Sequence, residues 1–115
     1  MSTLDGIQAI LETAMRGAWQ RQTLLTQNIA NAETPGYQRE TLSFQSSLRS
    51  ALSGGEPLES LSFTPVAEAR AATPNGNGVN LDQESALLAE NGLTYEALSQ
   101  MLFAHNETLR AAMGL

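Results

Sequence analysis

A chain of 115 residues forms one domain at most, and a helical hairpin of this size buries only a modest core. Its net charge is −6, its six basic residues are all Arg and none cluster, which argues against nucleic acid or an anionic membrane surface as partner. With no cysteine, disulfides, thiolate metal sites and cysteine nucleophiles are excluded together.

Other global features narrow the class further. No apolar run approaches a bilayer span, so direct membrane insertion is not expected. The start, residues 1–7, lacks the basic region and apolar core of a secretory signal, and on that ground alone the chain reads as cytoplasmic. Aromatics are few, with one Trp, two Tyr and three Phe, which suits elongated helices with Leu/Ala seams better than a compact core.

The first element is a long helix opening between Ser2 and Asp5, residues suited to an N-cap or an acidic first turn. Its apolar seam runs Leu4, Ile7, Leu11, Met15, Ala18, Gln22, Leu25, Ile29, Ala32, in steps of three and four that keep one line facing a partner helix. Ala14 and Leu24 widen the seam. Arg16, Arg21 and Glu12 fall off it and read as a solvated or subunit-facing side. Gly6 and Gly17 each weaken the helix by roughly 1 kcal/mol relative to Ala. Trp19 sits beside the seam, either as a contact surface or partly buried at its edge.

The helix must stop before Pro35. Thr34 precedes a proline and is pushed out of the α region, Pro35 lacks an N–H, and Gly36 can take the positive φ of a type II turn. Asn28 and Asn31, one turn apart, are suited to bonding nearby backbone as the helix unwinds. Residues 1–37 therefore form a first unit of helix plus turn.

Residues 38–79 form a second, mostly irregular unit. Within 41–52, Phe44, Leu48 and Leu52 have helical spacing, while Leu42 and Phe44 alternating with Thr and Ser suit a short strand equally well. Breaks fall at 53–57 and 73–78 (SGGEP and TPNGNG), and the middle is expected to be irregular and partly disordered between Gly54 and Gly78.

Residues 80–115 form the third unit, a second long helix starting after Asn80 or Asp82, with Glu84 adding negative charge to its first turns. The seam reads Leu81, Glu84, Leu88, Asn91, Tyr95, Leu98, Leu102, His105, Leu109, Ala112, without a slip. Leu87, Thr94 and Met101 broaden it. A seam this regular asks for a second long helix, and the first helix is the one candidate of similar length. The expected fold is all-α: two long terminal helices pairing as an antiparallel coiled-coil hairpin around a mostly irregular middle.

Catalysis finds little support. His105 is the single histidine and lies in an apolar seam, where a structural role outweighs a catalytic one. Glu84 and Asn91 are polar seam residues, which set register or meet another subunit. The pairs Asp82/Glu84 and Glu56/Glu59 read as solvated acids rather than an acid–base dyad. Asn75-Gly76-Asn77-Gly78 lacks the context of a phosphate loop.

Two stretches carry a family resemblance. Asn28-Ile29-Ala30-Asn31 and Thr34-Pro35-Gly36-Tyr37, eight positions within ten residues at the end of an N-terminal helix, resemble the N-terminal signature of the bacterial flagellar rod and hook axial proteins. The C-terminal stretch, with Leu87-Leu88-Ala89-Glu90-Asn91 and Leu93-Thr94-Tyr95-Glu96-Ala97-Leu98, is similar to the proximal-rod branch. Hook and distal-rod relatives usually carry Arg-Ala-Tyr-Glu where this chain has Thr94-Tyr95-Glu96-Ala97. The middle segment is short for the family.

The resemblance implies a non-enzymatic structural subunit of the basal-body rod, the drive shaft around the export channel. Partners would be other rod subunits and the membrane-ring and export-gate base, with no cofactor, metal, nucleic acid or small-molecule substrate. It further implies export through the flagellum's own channel without a cleaved signal, which displaces the cytoplasmic expectation. A sibling subunit of the same proximal rod remains an alternative, as does a helical-hairpin adaptor unrelated to flagella.

Overall fold

A computed structural model describes residues 3–68 and 79–114, with side chains from residue 6 onward. In chain order it has helix α1 (Thr3–Ala30), strand β1 (Glu40–Thr41), helix α2 (Phe44–Gly54), a 3₁₀ turn (Leu58–Ser60), strand β2 (Val66–Ala67) and helix α3 (Leu81–Met113). At 1.5 Å per residue, α1 is about 42 Å long and α3 about 50 Å. Packed side by side they give a body of 60 × 27 × 15 Å.

The long helices are antiparallel. Asn28 of α1 meets Glu84 of α3, Ala18 and Gln22 meet Asn91, and Trp19 meets Tyr95, so positions rise on one helix as they fall on the other. Local chemistry sets the ends of α3. The Asn80 side chain accepts the Gln83 N–H at 3.1 Å, and Gly114, at φ 74°, closes the helix in the left-handed region.

Along α3 the seam positions Leu88, Tyr95, Leu98, Leu102, His105 and Leu109 are half-buried, while Glu84 and Asn91 are fully buried. On α1, Ala18 and Leu25 are buried and Leu11, Met15, Gln22, Ile29 and Ala32 half-buried. The seam ends are not covered. Leu81 is 48% exposed and Ile7 40%, because each lies at the edge of the overlap between the helices; Met101, read as a widening position, is 54% exposed. The side chain of Leu4 lies outside the described residues.

Both readings of residues 41–52 are realised in succession. Glu40 and Thr41 pair with Ala67 and Val66 in a two-stranded antiparallel ladder, and α2 then starts at Phe44. The amphipathic pattern places Phe44, Leu48 and Ala51 inward, whereas Leu52 is 46% exposed. Gly55 ends α2 at φ 67°, where its N–H and that of Glu56 return to Leu52 and Ala51 carbonyls.

The middle segment packs mainly on α1. Its core joins Leu42, Phe44, Leu48 and Phe63 to Ala14, Ala18 and Leu24, with Tyr95 and Leu98 of α3 against it. Phe44 lies flush on Gly17: a Cβ there would sit 2.6 Å from the Phe44 Cβ. Gly17, a weak point by helix propensity alone, is thus the socket that admits α2. Arg16, expected on a solvated or subunit-facing side, stays exposed while it donates to the Leu58 and Leu61 carbonyls at 3.3 and 2.9 Å and lies over the Phe63 ring, and Gln20 donates to the Phe63 carbonyl at 2.9 Å. Residues 54–68 are held by these contacts. The second break, 73–78, lies outside the described residues.

Candidate assembly site at the end of the first helix

Helix α1 unwinds where proline demands it. After Ala30 the Asn31 N–H is shared between the Gln27 and Asn28 carbonyls, and the Ala32 N–H turns to the Ile29 carbonyl at 3.2 Å. The Tyr37 N–H then bonds the Thr34 carbonyl at 3.2 Å across Pro35 and Gly36, with Gly36 at φ 77°, which is the expected type II turn. Nothing lies within 4 Å of a Cβ placed on Gly36. Backbone conformation rather than space therefore calls for glycine here.

The eight motif residues separate into two groups. Ala30, Thr34, Pro35 and Gly36 are exposed, while Ile29, Asn31 and Tyr37 are half-buried and Asn28 is 0% exposed. Asn31 behaves as the sequence suggests, donating to the Gln27 carbonyl at 2.9 Å. Asn28 does not bond locally. Its amide nitrogen donates to the Glu40 carbonyl at 3.0 Å and the Glu84 carboxylate at 3.4 Å, and its carbonyl oxygen accepts from the Tyr37 hydroxyl at 3.0 Å and the Glu40 N–H at 3.2 Å. All four hydrogen-bonding positions of the amide are filled.

The Glu84 carboxylate, 1% exposed, completes this cluster. An isolated buried carboxylate is costly, so it needs a cation and donors together. Arg39 Nε supplies the cation at 2.5 Å, and Arg39 also pairs with Glu68 beside strand β2. The Tyr37 hydroxyl feels the same surroundings. Burial, reinforced by the negative charges of Glu40 and Glu84 and opposed by Arg39, pushes its pKa above the ordinary 10.0.

A second polar tie lies about two turns away. Asn91, 0% exposed, donates to the Ala18 carbonyl at 2.8 Å and the Gln22 side chain at 2.9 Å, and accepts from Arg21 at 3.4 Å. Arg21, expected on a solvated or subunit-facing side, is half-buried here. Glu84 and Asn91, seven residues apart on one face of α3, thus fix the register of the hairpin from within the chain.

Sequence reading missed Arg39, Glu40 and the Gly17–Phe44 contact. Two polar residues on the α3 seam announced that buried partners were needed, but nothing in the linear order named them. Among the described residues no group of three His, Asp or Glu could hold a metal ion, and no helix is long and apolar enough to cross a membrane.

No family model matches the chain. It is 31% identical to the flagellar basal body rod protein FlgB of Escherichia coli strain K12, over 84% of each chain. The protein of the same name from Bacillus subtilis strain 168 is 30% identical over 98% of this chain and 97% of its own. The Salmonella typhimurium protein of that name is 29% identical, again over 84% of each.

Proposed function

The chain belongs to the FlgB family of flagellar basal body rod proteins, and we propose that it is a non-enzymatic subunit of the proximal rod. It assembles through its terminal helices with other rod subunits, next to the membrane-ring and export-gate base. In this role it transmits torque and surrounds the export channel. Torque passes through many small apolar contacts in parallel and needs no chemistry.

One observation supports this reading above the others. Although α3 already has a partner in α1, it still leaves Leu93 at 69%, Met101 at 54%, Phe103 at 69% and Met113 at 67% exposure. A helix that keeps several large apolar side chains exposed after pairing is suited to burial against further neighbours. Head-to-tail contacts of this kind build open helical assemblies rather than closed pairs.

In this scheme the exposed turn at Thr34, Pro35 and Gly36 meets a neighbouring subunit, and Asn28 with Tyr37 fixes the direction in which that turn leaves the helix. The test is complementation of a deletion strain, with basal bodies isolated and analysed for this chain. Wild type restores swimming and is recovered in the rod fraction. Gly36→Val forces a β-branched residue to positive φ, at a local cost of about 1–3 kcal/mol. It is expected to be made and exported while leaving rods incomplete and cells non-motile. Normal swimming by this variant removes the turn from the assembly site, and absence of the wild-type chain from basal bodies removes the rod role altogether.

A further inference from the structure

The polar cluster around Glu84 joins parts of the chain that are otherwise loosely connected. Through Asn28 it holds the end of α1, through Arg39 it holds the segment leading into β1, and through the Arg39–Glu68 pair it holds the end of β2. The Asn28 amide in turn grips both backbone groups of Glu40. Elsewhere the middle segment rests chiefly on α1, through Phe44 on Gly17 and through carbonyls captured by Arg16 and Gln20. Among the described residues, the polar tie between this segment and the first two turns of α3 runs through the Glu84 carboxylate.

We propose that the Arg39–Glu84 pair is an ionic latch that couples the ordering of the strap, residues 37–68, to the docking of the N-terminal third of α3. A buried charge that loses its partner is strongly unfavourable, so neither side holds its position well without the other. When Arg39 withdraws, Glu84 must move to water and carries α3 away from Asn28. When Glu84 withdraws, Arg39 keeps only the half-exposed Glu68, and β1 loses its anchor. The strap and residues 81–91 therefore open and close as one unit. Residues 99–113, beyond the reach of this cluster, open separately and more easily, because only half-buried seam residues hold them.

Native-state amide hydrogen exchange on the purified full-length chain tests the latch. In low denaturant the wild-type amides of 38–68 and 81–91 are expected to share a single opening curve, distinct from that of 99–113. Glu84→Gln removes the charge and keeps the size of the side chain. It is expected to speed exchange in both coupled segments together, by about tenfold or more, while 99–113 exchange as before. Three results overturn the latch: separate wild-type curves for 38–68 and 81–91, faster exchange in 81–91 alone, or no protection of 38–68 in the wild-type chain. The wild-type curves decide the matter even if Glu84→Gln does not fold.

Discussion

The two ends of the hairpin are built from the same kind of seam and stabilised differently. At one end, residues 13–30 of α1 and 81–98 of α3 are joined by two buried asparagines, an ion pair ties Arg39 to the buried Glu84, and the strap with its helix α2 covers α1. At the other, Ile10 of α1 still packs against the core, but α3 is bare over 99–113, where Leu102, His105 and Leu109 are only half-buried. A regular heptad pattern is thus compatible with either a closed core or an open one. The covered end is sufficient as a fold. The bare end exposes what a neighbouring helix would bury, and isolated helices of that length are marginal in water.

The sharpest way to break this contrast is to truncate one seam leucine at each end. Leu25, 3% exposed, should cost about 2–5 kcal/mol as Leu25→Ala. Leu102, half-buried, should cost about 1 kcal/mol as Leu102→Ala, since only part of its surface is removed from water. Urea unfolding followed by circular dichroism measures both. Equal losses would mean that the bare end is as tightly packed as the covered one.

A similar division runs through the Asn pair of the motif. Asn28→Ala leaves the Glu40 N–H and carbonyl without their partner and weakens the hold on Glu84, which should cost about 1–3 kcal/mol. Asn31→Ala loses a local bond to the Gln27 carbonyl near the surface, and should stay within about 0.5 kcal/mol. Comparable midpoints for the two variants would remove the distinction between the inward and outward halves of the motif. Gly17→Ala probes the socket under α2. Its Cβ would meet three Phe44 carbons at 2.6–2.8 Å, and overpacking of this kind costs about 1–3 kcal/mol. A near-edge ultraviolet signal lost before helicity would show α2 leaving while the hairpin persists.

Much of this was legible beforehand because it depends on local rules. Spacing alone gives two long helices and their mutual seam, and Pro35 with Gly36 dictates where the first one stops and how it turns. Even the puzzling polar seam positions, Glu84 and Asn91, pointed to register. What could not be read was the identity of their partners. Arg39 lies 45 residues from Glu84 and Arg21 lies 70 from Asn91, so each pairing is decided by how the middle segment folds back. Gly17 illustrates the same limit from the opposite side. Propensity prices it as a weak spot in a helix, and only the approach of Phe44 reveals the space it leaves. The exposure of Leu81 and Ile7 likewise follows from how far the two helices overlap, which a seam pattern does not encode.

The smallest effect, and the most specific to the helix end, concerns Tyr37. Burial and the charges of Glu40 and Glu84 hold its phenol above the ordinary pKa of 10.0 in the folded chain, so the neutral form is favoured by folding. Its contribution is then fully present below pH 10.0, and is lost as pH rises through the folded-state value, because the unfolded chain releases that proton first. Tyr37→Phe removes this alkaline slope together with the hydroxyl bond to Asn28, worth about 1 kcal/mol at neutral pH. Denaturant midpoints measured from pH 8 to 11 should therefore fall less steeply for Tyr37→Phe than for the wild type, and the two curves should converge at the alkaline end. Parallel curves across that range would place Tyr37 outside the buried network and leave Asn28 to be held by the Glu40 backbone and Glu84 alone.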